Sequence, residues 1–265
     1  MIRVVFDIGG SHLRLALADG AVLGAIEKLD TPKEPVAGVE AIRAFLEKHG
    51  ARVDEAVGGI AGVVQDGTVV GARYLPAWDG FNLSAALRDA CGVSPVRLLN
   101  DAEIAGIGEA VLGAGKGYRT VAYVTVSTGI GGALIVDGLV VPHAVGHEPG
   151  KQIIDYERMR TLEDVAGGAS LTEAFGDAPE RLPHENVLGS TRALAVGLYN
   201  VIRLWSPDVL ILGGALMNDA TGYSLDAVVQ ELSALPVSLP ALPPIVRSAL
   251  GDDAGLHGAA VAPLS

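Results

Sequence analysis

The chain has 265 residues, of which 49% are hydrophobic and 19% charged, so it is long enough to bury a substantial core in one domain or in two lobes. Its formal net charge of -12 at pH 7 disfavours general electrostatic binding to nucleic acid or to an anionic membrane. Cys91 is the only cysteine, which excludes an intramolecular disulfide and a metal site built from several cysteines. We expect a cytoplasmic protein, because residues 1–10 lead straight into a strand pattern without a secretory signal, and no apolar run is long enough to span a bilayer.

Hydrophobic periodicity predicts alternating strands and helices along the chain. Strands are predicted over residues 2–6, 13–18, 21–29, 55–64, 96–100, 209–212 and 243–250, and as a strand, glycine turn and strand over residues 120–138. Helices are predicted over residues 38–50, 82–92, 101–113, 189–205 and 255–264. Residues 142–185 have poor periodicity. This order predicts an α/β protein in which helices pack on the faces of mixed sheets.

One hairpin pattern occurs twice, as FDIGGSHLRLALADG from residue 6 and as VSTGIGGALIVDG from residue 126. Each copy is an apolar run, a glycine turn, a second apolar run and an Asp-Gly turn. Glycines let the backbone approach a ligand closely, and successive N–H groups in such turns bind anions. One such turn alone is usually only a turn, but the repeat indicates two related lobes that each offer a phosphate-binding turn.

Asn100 and Asp101 follow a predicted strand and open a predicted helix, which allows two interpretations. Asn100 with Glu103 resembles a capping box, and Asp101 is then an ordinary carboxylate of the first helical turn. Alternatively, Asp101 lies at the carboxyl end of a strand and accepts the proton of an attacking hydroxyl. The residues themselves leave both interpretations open.

Together the motifs resemble the ROK family of sugar kinases, part of the superfamily that also contains Hsp70 and actin, over nearly the whole chain. The matching segments are Asp7-Ile8-Gly9-Gly10-Ser11, Gly59-Ile60-Ala61-Gly62, Leu75-Pro76-Ala77-Trp78, Asn100-Asp101-Ala102, Ser127-Thr128-Gly129-Ile130-Gly131-Gly132 and Val209-Leu210-Ile211-Leu212-Gly213-Gly214-Ala215. The resemblance implies an α/β protein with an actin-like (ribonuclease H-like) ATPase fold, in which two lobes with mixed sheets flanked by helices enclose a cleft. We expect an N-terminal lobe over residues 1–105, with the helix of about 250–265 packed back on it, and a C-terminal lobe over residues 106–249.

The same resemblance implies ATP and Mg²⁺ as ligands, with the two glycine turns holding the ATP phosphates from opposite sides. The nucleotide-binding residues would be Gly9, Gly10, Ser11, Thr128, Gly129, Gly131, Gly213 and Gly214. The residues that hold the sugar would be Asn100, His147, Glu163 and Gly62, with Leu75-Pro76-Ala77-Trp78 resembling the segment that lines the sugar site. Asp7 would bind Mg²⁺ through water, and Asp101 would be the general base.

The sequence departs from the family pattern in the sugar-binding stretch. Where the family typically has Glu-x-Gly-His, this chain has Ala144-Val145-Gly146-His147. No cysteine lies near Glu163, where many members carry a zinc-binding cysteine motif, so we expect no structural zinc. We expect packing to brace this loop instead, with Asp155, Tyr156 and Arg158 as candidates.

The favoured function is an ATP-dependent kinase for a hydroxyl of a hexose or N-acetylhexosamine. The alternatives are a ROK-like sugar- or nucleotide-binding protein with little or no kinase activity, and a kinase for an unusual acceptor; Ala144 motivates both. The expected partners are small molecules, with neither nucleic acid nor membrane. Some members are repressors with an N-terminal helix-turn-helix, but the first strand begins at residue 2 and the chain is acidic, so we reject that role. The resemblance also allows a homodimer.

Overall fold

The computed structural model describes residues 2–50, 52–176, 181–218, 222–235 and 241–263. In chain order the strands are β1 (Ile2–Ile8), β2 (His12–Asp19), β3 (Val22–Leu23), β4 (Glu27–Asp30), β5 (Glu55–Ile60), β6 (Val63–Gln65), β7 (Thr68–Val70), β8 (Val96–Asn100), β9 (Thr120–Val126), β10 (Ile130–Val136), β11 (Leu139–Val140), β12 (Ile153–Asp155), β13 (Arg160–Thr161), β14 (Val209–Gly213) and β15 (Ile245–Arg247). The α-helices are α1 (Pro35–His49), α2 (Leu83–Cys91), α3 (Asp101–Val111), α4 (Leu162–Ala166), α5 (Gly168–Phe175), α6 (His184–Trp205), α7 (Leu225–Ser233) and α8 (Ala254–Val261).

The chain divides into two compact units. The first unit comprises residues 1–111, 144–146 and 253–265, and the second comprises residues 112–143 and 147–252. The predicted lobe boundary between residues 105 and 106 lies inside α3, which continues as one helix to Val111. The C-terminal helix α8 belongs to the first unit.

The main sheet of the first unit has the strand order β3-β2-β1-β5-β8, and β4 also pairs with β2. β1 is antiparallel to β2 but parallel to β5, and β5 is parallel to β8. The β1–β2 hairpin has the alternation that the sequence predicts. A single predicted strand over residues 21–29 is instead split into β3 and β4, because the register against β2 shifts by one residue between Leu23, which pairs with Ala18, and Glu27, which pairs with Leu15.

Ordinary capping signals set the bounds of the first two helices. α1 starts with Pro35, which has no N–H to leave unpaired, and ends at Gly50 in the left-handed conformation (φ 54°). α2 starts after Asn82, whose side chain accepts from the Ala85 N–H, and ends at Gly92 with φ 65°. Their apolar faces bury Ile42, Phe45 and Leu87 against the main sheet of the first unit, and this core also includes Phe6 and Trp78.

The main sheet of the second unit has the strand order β11-β10-β9-β14-β15. β9 and β10 form an antiparallel hairpin, and β9, β14 and β15 are parallel. The two sheets therefore share one arrangement. In each, two strands form an antiparallel hairpin, and the first strand of that hairpin also pairs in parallel with later strands. This is the repeat that the duplicated sequence pattern predicts, seen in each unit separately.

Residues 142–185 contain more structure than their periodicity predicts. β12 and β13 form a short antiparallel hairpin, and α4 and α5 follow directly. α6 begins at His184, five residues before the predicted start at residue 189, and ends at Ser206 with φ 47°, just before Pro207. The helix α7 also lies in a stretch for which no element was predicted.

Tyr223 joins these helices in the core of the second unit. It is fully buried, and its hydroxyl donates to the Ala166 carbonyl at 2.9 Å and lies 2.8 Å from the Ser190 hydroxyl. Burial raises the pKa of Tyr223, so the phenol stays neutral in the folded protein. Ala166 is the last residue of α4 and Ser190 lies in α6, so the two contacts of the Tyr223 hydroxyl together link these helices.

Replacing Tyr223 by Phe is expected to lower the free energy of unfolding by about 1–3 kcal/mol, because it leaves buried polar groups without this partner. Urea unfolding would measure this loss, with Tyr118→Phe, at a residue 41% exposed, as the control that changes little. Since the pKa is raised on folding, the unfolded state loses its proton first, and stability should fall as the pH rises above about 10. A fall of the same size in Tyr223→Phe would contradict the assignment of this pH dependence to Tyr223.

Candidate functional site

Parallel strands bring the predicted acidic residues of the first unit to one edge of its sheet. Asp7 on β1 pairs in register with Gly59 on β5, and Ile60 pairs with Asn100 on β8. Asp101 follows at the start of α3. The carboxyl ends of adjacent parallel strands are where α/β proteins most often bind ligands. The structure therefore places Asp7, Asn100 and Asp101 at a suitable edge for a binding site.

Gly255 leaves room for the Asp7 carboxylate at this edge, and Gly59 lies beside it. A Cβ atom on Gly255 of α8 would lie 2.9 Å from Cγ and Oδ2 of Asp7, and one on Gly59 would lie 3.6 Å from Oδ1. The Gly59 Cβ would also lie 3.3 Å from Cα of Asp101. On the neighbouring strand, Nη1 of Arg14 lies 3.7 Å from Oδ2 of Asp7, and both side chains are 14% exposed. The Asp7 carboxylate thus lies beside the Arg14 guanidinium and beside Gly255, where a side chain would collide with it.

Asn100 caps α3 and is also linked to a second predicted site residue. Its Oδ1 accepts from the Ala102 N–H at 2.9 Å, and its own N–H donates to Oε2 of the buried Glu103 at 3.1 Å. Its Nδ2 donates to the Gly62 carbonyl at 3.1 Å. The capping interpretation is therefore correct for Asn100 and Glu103. It does not exclude a catalytic Asp101, which lies half-buried in the same helical turn.

The glycine turn of the first unit connects β1 to β2. The Gly9 N–H donates to the His12 carbonyl at 2.9 Å, and the Gly9 carbonyl accepts from the Thr31 hydroxyl at 2.7 Å. Gly10 and Ser11 are exposed. A Cβ on Gly10 would lie 3.1 Å from Cβ of Tyr74, so the space beside the turn is limited.

The corresponding turn of the second unit, which contains Thr128 and Gly129, connects β9 to β10, with Gly131 as the second residue of β10. The start of α5 packs directly on this turn: the N–H groups of Gly168 and Ala169 donate to the carbonyls of Ser127 and Thr128 at 2.8 and 2.9 Å. These two bonds satisfy donors that the first turn of a helix leaves unpaired. The turn is therefore held by a helix that the sequence does not predict.

Gly213 and Gly214 follow on the adjacent parallel strand. Gly213 pairs with Thr125 of β9, and a side chain there would meet the Tyr123 hydroxyl at 2.6 Å. Gly214 has φ 94°, and a Cβ would overlap the Val126 carbonyl. Both glycines are required by the close approach of β14 to β9.

A small pocket of about 140 Å³ opens between this turn, the start of α5 and the residues after β14. It is lined by Ser127, Thr128, Gly168, Ala169, Thr172, Ala215 and Leu216. Pockets for drug-sized ligands are typically about 300–1,000 Å³, so this one can hold only part of a nucleotide. The sequence analysis did not predict three of the lining residues, Gly168, Ala169 and Thr172. The pair Gly167-Gly168 ahead of an apolar helix is the signal that could have revealed them.

His147 and Glu163 both lie in the second unit, in the stretch that departs from the family pattern. His147 forms an antiparallel bridge with Gly132, and its ring lies edge to face against Trp205 and His143, with centroids 5.2 and 5.1 Å apart. Glu163 is buried in α4 and forms an ion pair with Lys151. The sequence did not single out Lys151, because its partner is twelve residues further along the chain.

The candidate braces of this stretch are only partly as expected. Asp155 accepts from the Arg158 N–H at 3.1 Å and from the Arg160 guanidinium at 2.7 Å, and these bonds lower the pKa of the Asp155 carboxyl. Tyr156 is 80% exposed, so its ring does not brace the loop. Arg160, which was not predicted, takes that role because β12 pairs it with Asp155.

Trp78, from the segment expected to line the sugar site, belongs to the core. Its side chain is fully buried and donates from Nε1 to the Pro32 carbonyl at 3.1 Å. The ring fills the space left by Gly38 on α1, where a Cβ would overlap it. Trp78 therefore supports the fold of the first unit rather than presenting its ring to a ligand.

A larger pocket of about 690 Å³ lies at the opposite edge of the first sheet. Its lining includes Val53 and Asp54, which precede β5, Ser94, which precedes β8, and the half-buried Cys91. Burial raises the pKa of the Cys91 thiol, which keeps it protonated and poorly reactive at neutral pH. Asp7 and Asp101 lie at the other edge, so the candidate site of the first unit is placed there.

Comparison with known proteins identifies the family. The sequence profile of the ROK family matches residues 3–263, and the chain belongs to this family. It is 29% identical to a glucokinase of Streptomyces coelicolor, over 98% of this chain and 96% of that protein, and 29% identical to a polyphosphate glucokinase of Mycobacterium tuberculosis, over 97% and 89%. The crystal structure of a ROK hexokinase from Thermus thermophilus matches with a TM-score of 0.84 at 29% identity, covering 98% of this chain and 97% of that one.

These matches confirm the resemblance seen in the motifs and the expected fold class. The protein has the actin-like ATPase fold of the ROK sugar kinases, with mixed sheets and helices in both units. Within the described ranges, no helix is both long enough and apolar enough to cross a membrane.

Proposed function

We propose that the protein is an ATP-dependent kinase that phosphorylates a hydroxyl group of a hexose or N-acetylhexosamine, with Asp101 as the general base. The observation that carries this proposal is the arrangement at the edge of the first sheet, where Asp7 and Asp101 lie on either side of Gly59. Phosphoryl transfer to a hydroxyl needs one carboxylate for the metal–phosphate group and another to accept the hydroxyl proton. Membership of a family that contains glucokinases supports the same reaction class.

The first unit would supply the acid–base and metal-binding groups. Asp101 would accept the proton as the sugar hydroxyl attacks the γ-phosphorus of ATP, and Asn100, fixed by Gly62 and Glu103, would hold the sugar beside it. Gly9, Gly10 and Ser11 would offer turn N–H groups to the phosphates.

The second unit would supply the remaining contacts. Thr128, Gly129 and Gly131 form the other phosphate turn, Gly213 and Gly214 lie on the adenosine side, and His147 and Glu163 bind sugar hydroxyls. The pocket beside Thr128 supports a nucleotide role, because its lining of small residues and hydroxyl groups suits close contact with a phosphate or ribose.

The Asp7 carboxylate fits a Mg²⁺ ion that arrives with the nucleotide. Mg²⁺ prefers oxygen ligands, keeps several waters, and is usually held by one or two protein carboxylates together with substrate phosphates. Across the described ranges, no three or more His, Cys, Asp or Glu side chains come together as a metal site. When bound, the ion would neutralise charge on the phosphates. The predicted absence of a structural zinc stays a prediction.

The test is to incubate the full-length protein with Mg-ATP and each of glucose, fructose, mannose, allose, N-acetylglucosamine and N-acetylmannosamine, and to measure both ADP and sugar phosphate. Asp101→Asn protein is the blank. Sugar-dependent formation of both products, lost in the variant, is the expected result. Inorganic polyphosphate is included as a second phosphoryl donor, because one of the relatives above is a polyphosphate glucokinase.

The outcome also separates the alternatives that Ala144 raises. Sugar binding by calorimetry without either product would favour a binding protein that lacks kinase activity. Binding of ATP without binding of any sugar in the panel would favour a kinase for an unusual acceptor. Product formation that survives in Asp101→Asn would overturn the assignment of the base while leaving the kinase activity in place.

A further inference from the structure

Lys151 and Glu163 form an ion pair in the second unit that differs from the surface pairs of this protein. The Lys151 ammonium group donates to Oε1 of Glu163. The Glu163 side chain is 8% exposed and that of Lys151 is 49% exposed. In the pair between Arg43 and Glu47 on α1, by contrast, the side chains are 39% and 63% exposed, and solvent weakens such contacts.

The backbone that carries Lys151 is held against β10. A 3-10 helix runs over Pro149–Lys151, and Pro149 and Gly150 are both buried. A side chain on Gly150 would overlap the Ile130 carbonyl, and one on Gly132 would lie 2.8 Å from Cγ of Pro149. The start of the Lys151 side chain is therefore fixed relative to the strand that follows the phosphate turn.

Both ends of the ion pair are also tied to helices of the second unit. Next to Lys151, the Gln152 side chain donates to the Pro149 carbonyl at 2.7 Å and accepts from Nδ2 of Asn200 on α6 at 2.7 Å. The carbonyl of Glu163 accepts from the Ser170 hydroxyl on α5 at 2.9 Å. Since both backbones are held, the pair loses little additional conformational freedom when it forms.

We propose that Lys151 is a specificity-determining residue for the acceptor, acting as a positioning residue through Glu163. By binding Oε1, Lys151 fixes the rotamer of Glu163 and so the place where this carboxylate accepts hydrogen bonds from the hydroxyl groups of a sugar. The inference rests on the proposed acceptor role of Glu163. Because Ala144 stands where the family typically has a glutamate, acceptor recognition in this chain depends strongly on the one carboxylate that Lys151 holds.

The test compares Lys151→Met, Lys151→Arg, Glu163→Gln and the double variant, using the panel sugar for which wild-type protein has the highest kcat/KM. Loss of a well-placed hydrogen bond to a charged group corresponds to about 10- to 100-fold in binding, so Lys151→Met should raise the acceptor KM by that factor. The KM for ATP and kcat should change by less than about threefold, since the lost contact is equal in the ground and transition states. Lys151→Arg should restore most of the affinity.

The double variant distinguishes action through Glu163 from direct contact. If Lys151 acts only by positioning Glu163, the double variant should have the same acceptor KM as Glu163→Gln alone. Lys48→Met is the matched control, because it breaks the exposed Lys48–Glu27 ion pair of the first unit without touching Glu163, and it should leave the acceptor KM near the wild-type value. Additive effects of Lys151→Met and Glu163→Gln would overturn the positioning role.

Equilibrium binding separates failure of this inference from failure of the proposed function. The acceptor Kd is measured by calorimetry without nucleotide for wild-type protein and for Lys151→Gln, which also serves if Lys151→Met does not fold. A protein that binds sugar but transfers no phosphoryl group overturns the kinase proposal. The acceptor Kd then tests the positioning role of Lys151 by itself. An unchanged Kd in Lys151→Gln, with only a lower melting temperature, overturns the inference, and so does wild-type protein that binds none of the sugars.

Discussion

Replacing Asp101 by Asn is expected to lower kcat for sugar phosphorylation by about 10²–10⁴-fold, the usual contribution of a positioned general base. Asn has nearly the same shape but cannot accept the proton of the attacking hydroxyl. It also keeps a side-chain oxygen, so it can still accept from the Ala102 N–H, which Oδ1 of Asp101 meets at 2.8 Å. Binding of sugar and ATP should therefore change little, and steady-state kinetics with the accepted sugar would show the loss in kcat with the acceptor KM nearly unchanged.

A matched control is available in the second unit. Asp226 is another carboxylate in the first turn of a helix, although it is exposed, and Asp226→Asn removes the same charge away from the candidate site. Its kcat should equal that of the wild type. Because Asp101 belongs to a capped helix, the melting temperature of Asp101→Asn is measured together with its kinetics. A drop of more than about 4 °C would indicate loss of folded protein and would count against a purely chemical effect.

The hairpins of both units could be predicted because their signals are local. Alternation in β1, β2, β9 and β10 lies within a few residues of the glycine turns, and antiparallel pairing follows directly from such a pattern. The Asn100–Glu103 cap is equally local, since its partners are three residues apart. Asp7 and Asp101 lie in or beside these features, but the resemblance of their motifs to the ROK family is what assigned them roles.

The elements over residues 153–175 could not be predicted from periodicity, because they are short and depend on polar contacts. β12 and β13 are held together by Asp155 and Arg160, and α4 begins with a capping box between Thr161 and Asp164. The cap is a signal that the sequence does contain. α7 also had a readable signal: Ser224 lies at its N-cap position, and the buried Val228 and Leu232 are four residues apart.

Side-chain partners that depend on tertiary structure are not visible in the sequence. Lys151 meets Glu163 because the β12–β13 hairpin between them turns the chain back, and no helical or strand spacing predicts that contact. The Gly255 position beside Asp7 is a stronger example, because 248 residues of chain separate them, and only the packing of α8 on β1 brings them together. Such contacts decide how site residues are oriented, even where their identities are apparent from motifs.

Replacing Gly258 by Ala is expected to be the most damaging small change in the first unit. Helices α3 and α8 touch through their backbones: a Cβ on Gly258 would overlap the Ile104 carbonyl, and one on Gly108 would lie 2.5 Å from the Ala254 carbonyl. Neither contact is with a flexible side chain, so α8 must move away from α3. Overpacking of this kind typically costs about 1–3 kcal/mol, occasionally more, and outweighs the roughly 0.5–1 kcal/mol that Ala gains over Gly in a helix.

The same change tests whether α8 supports the candidate site. Arg3 holds the end of α8 by donating to the carbonyls of Ala260 and Ala262 at 2.8 and 2.9 Å, so a displaced α8 would shift mainly at its start, where Gly255 meets Asp7. The free energy of unfolding, measured in urea, and kcat should therefore both fall in Gly258→Ala. Gly189→Ala is the control, since Gly189 lies on the exposed side of α6 with nothing within 4 Å of its Cβ position, and it should raise the free energy of unfolding by about 0.5–1 kcal/mol. Wild-type stability in Gly258→Ala would mean that the two helices do not cross in backbone contact, and an unchanged kcat in a destabilised variant would mean that α8 does not support the candidate site.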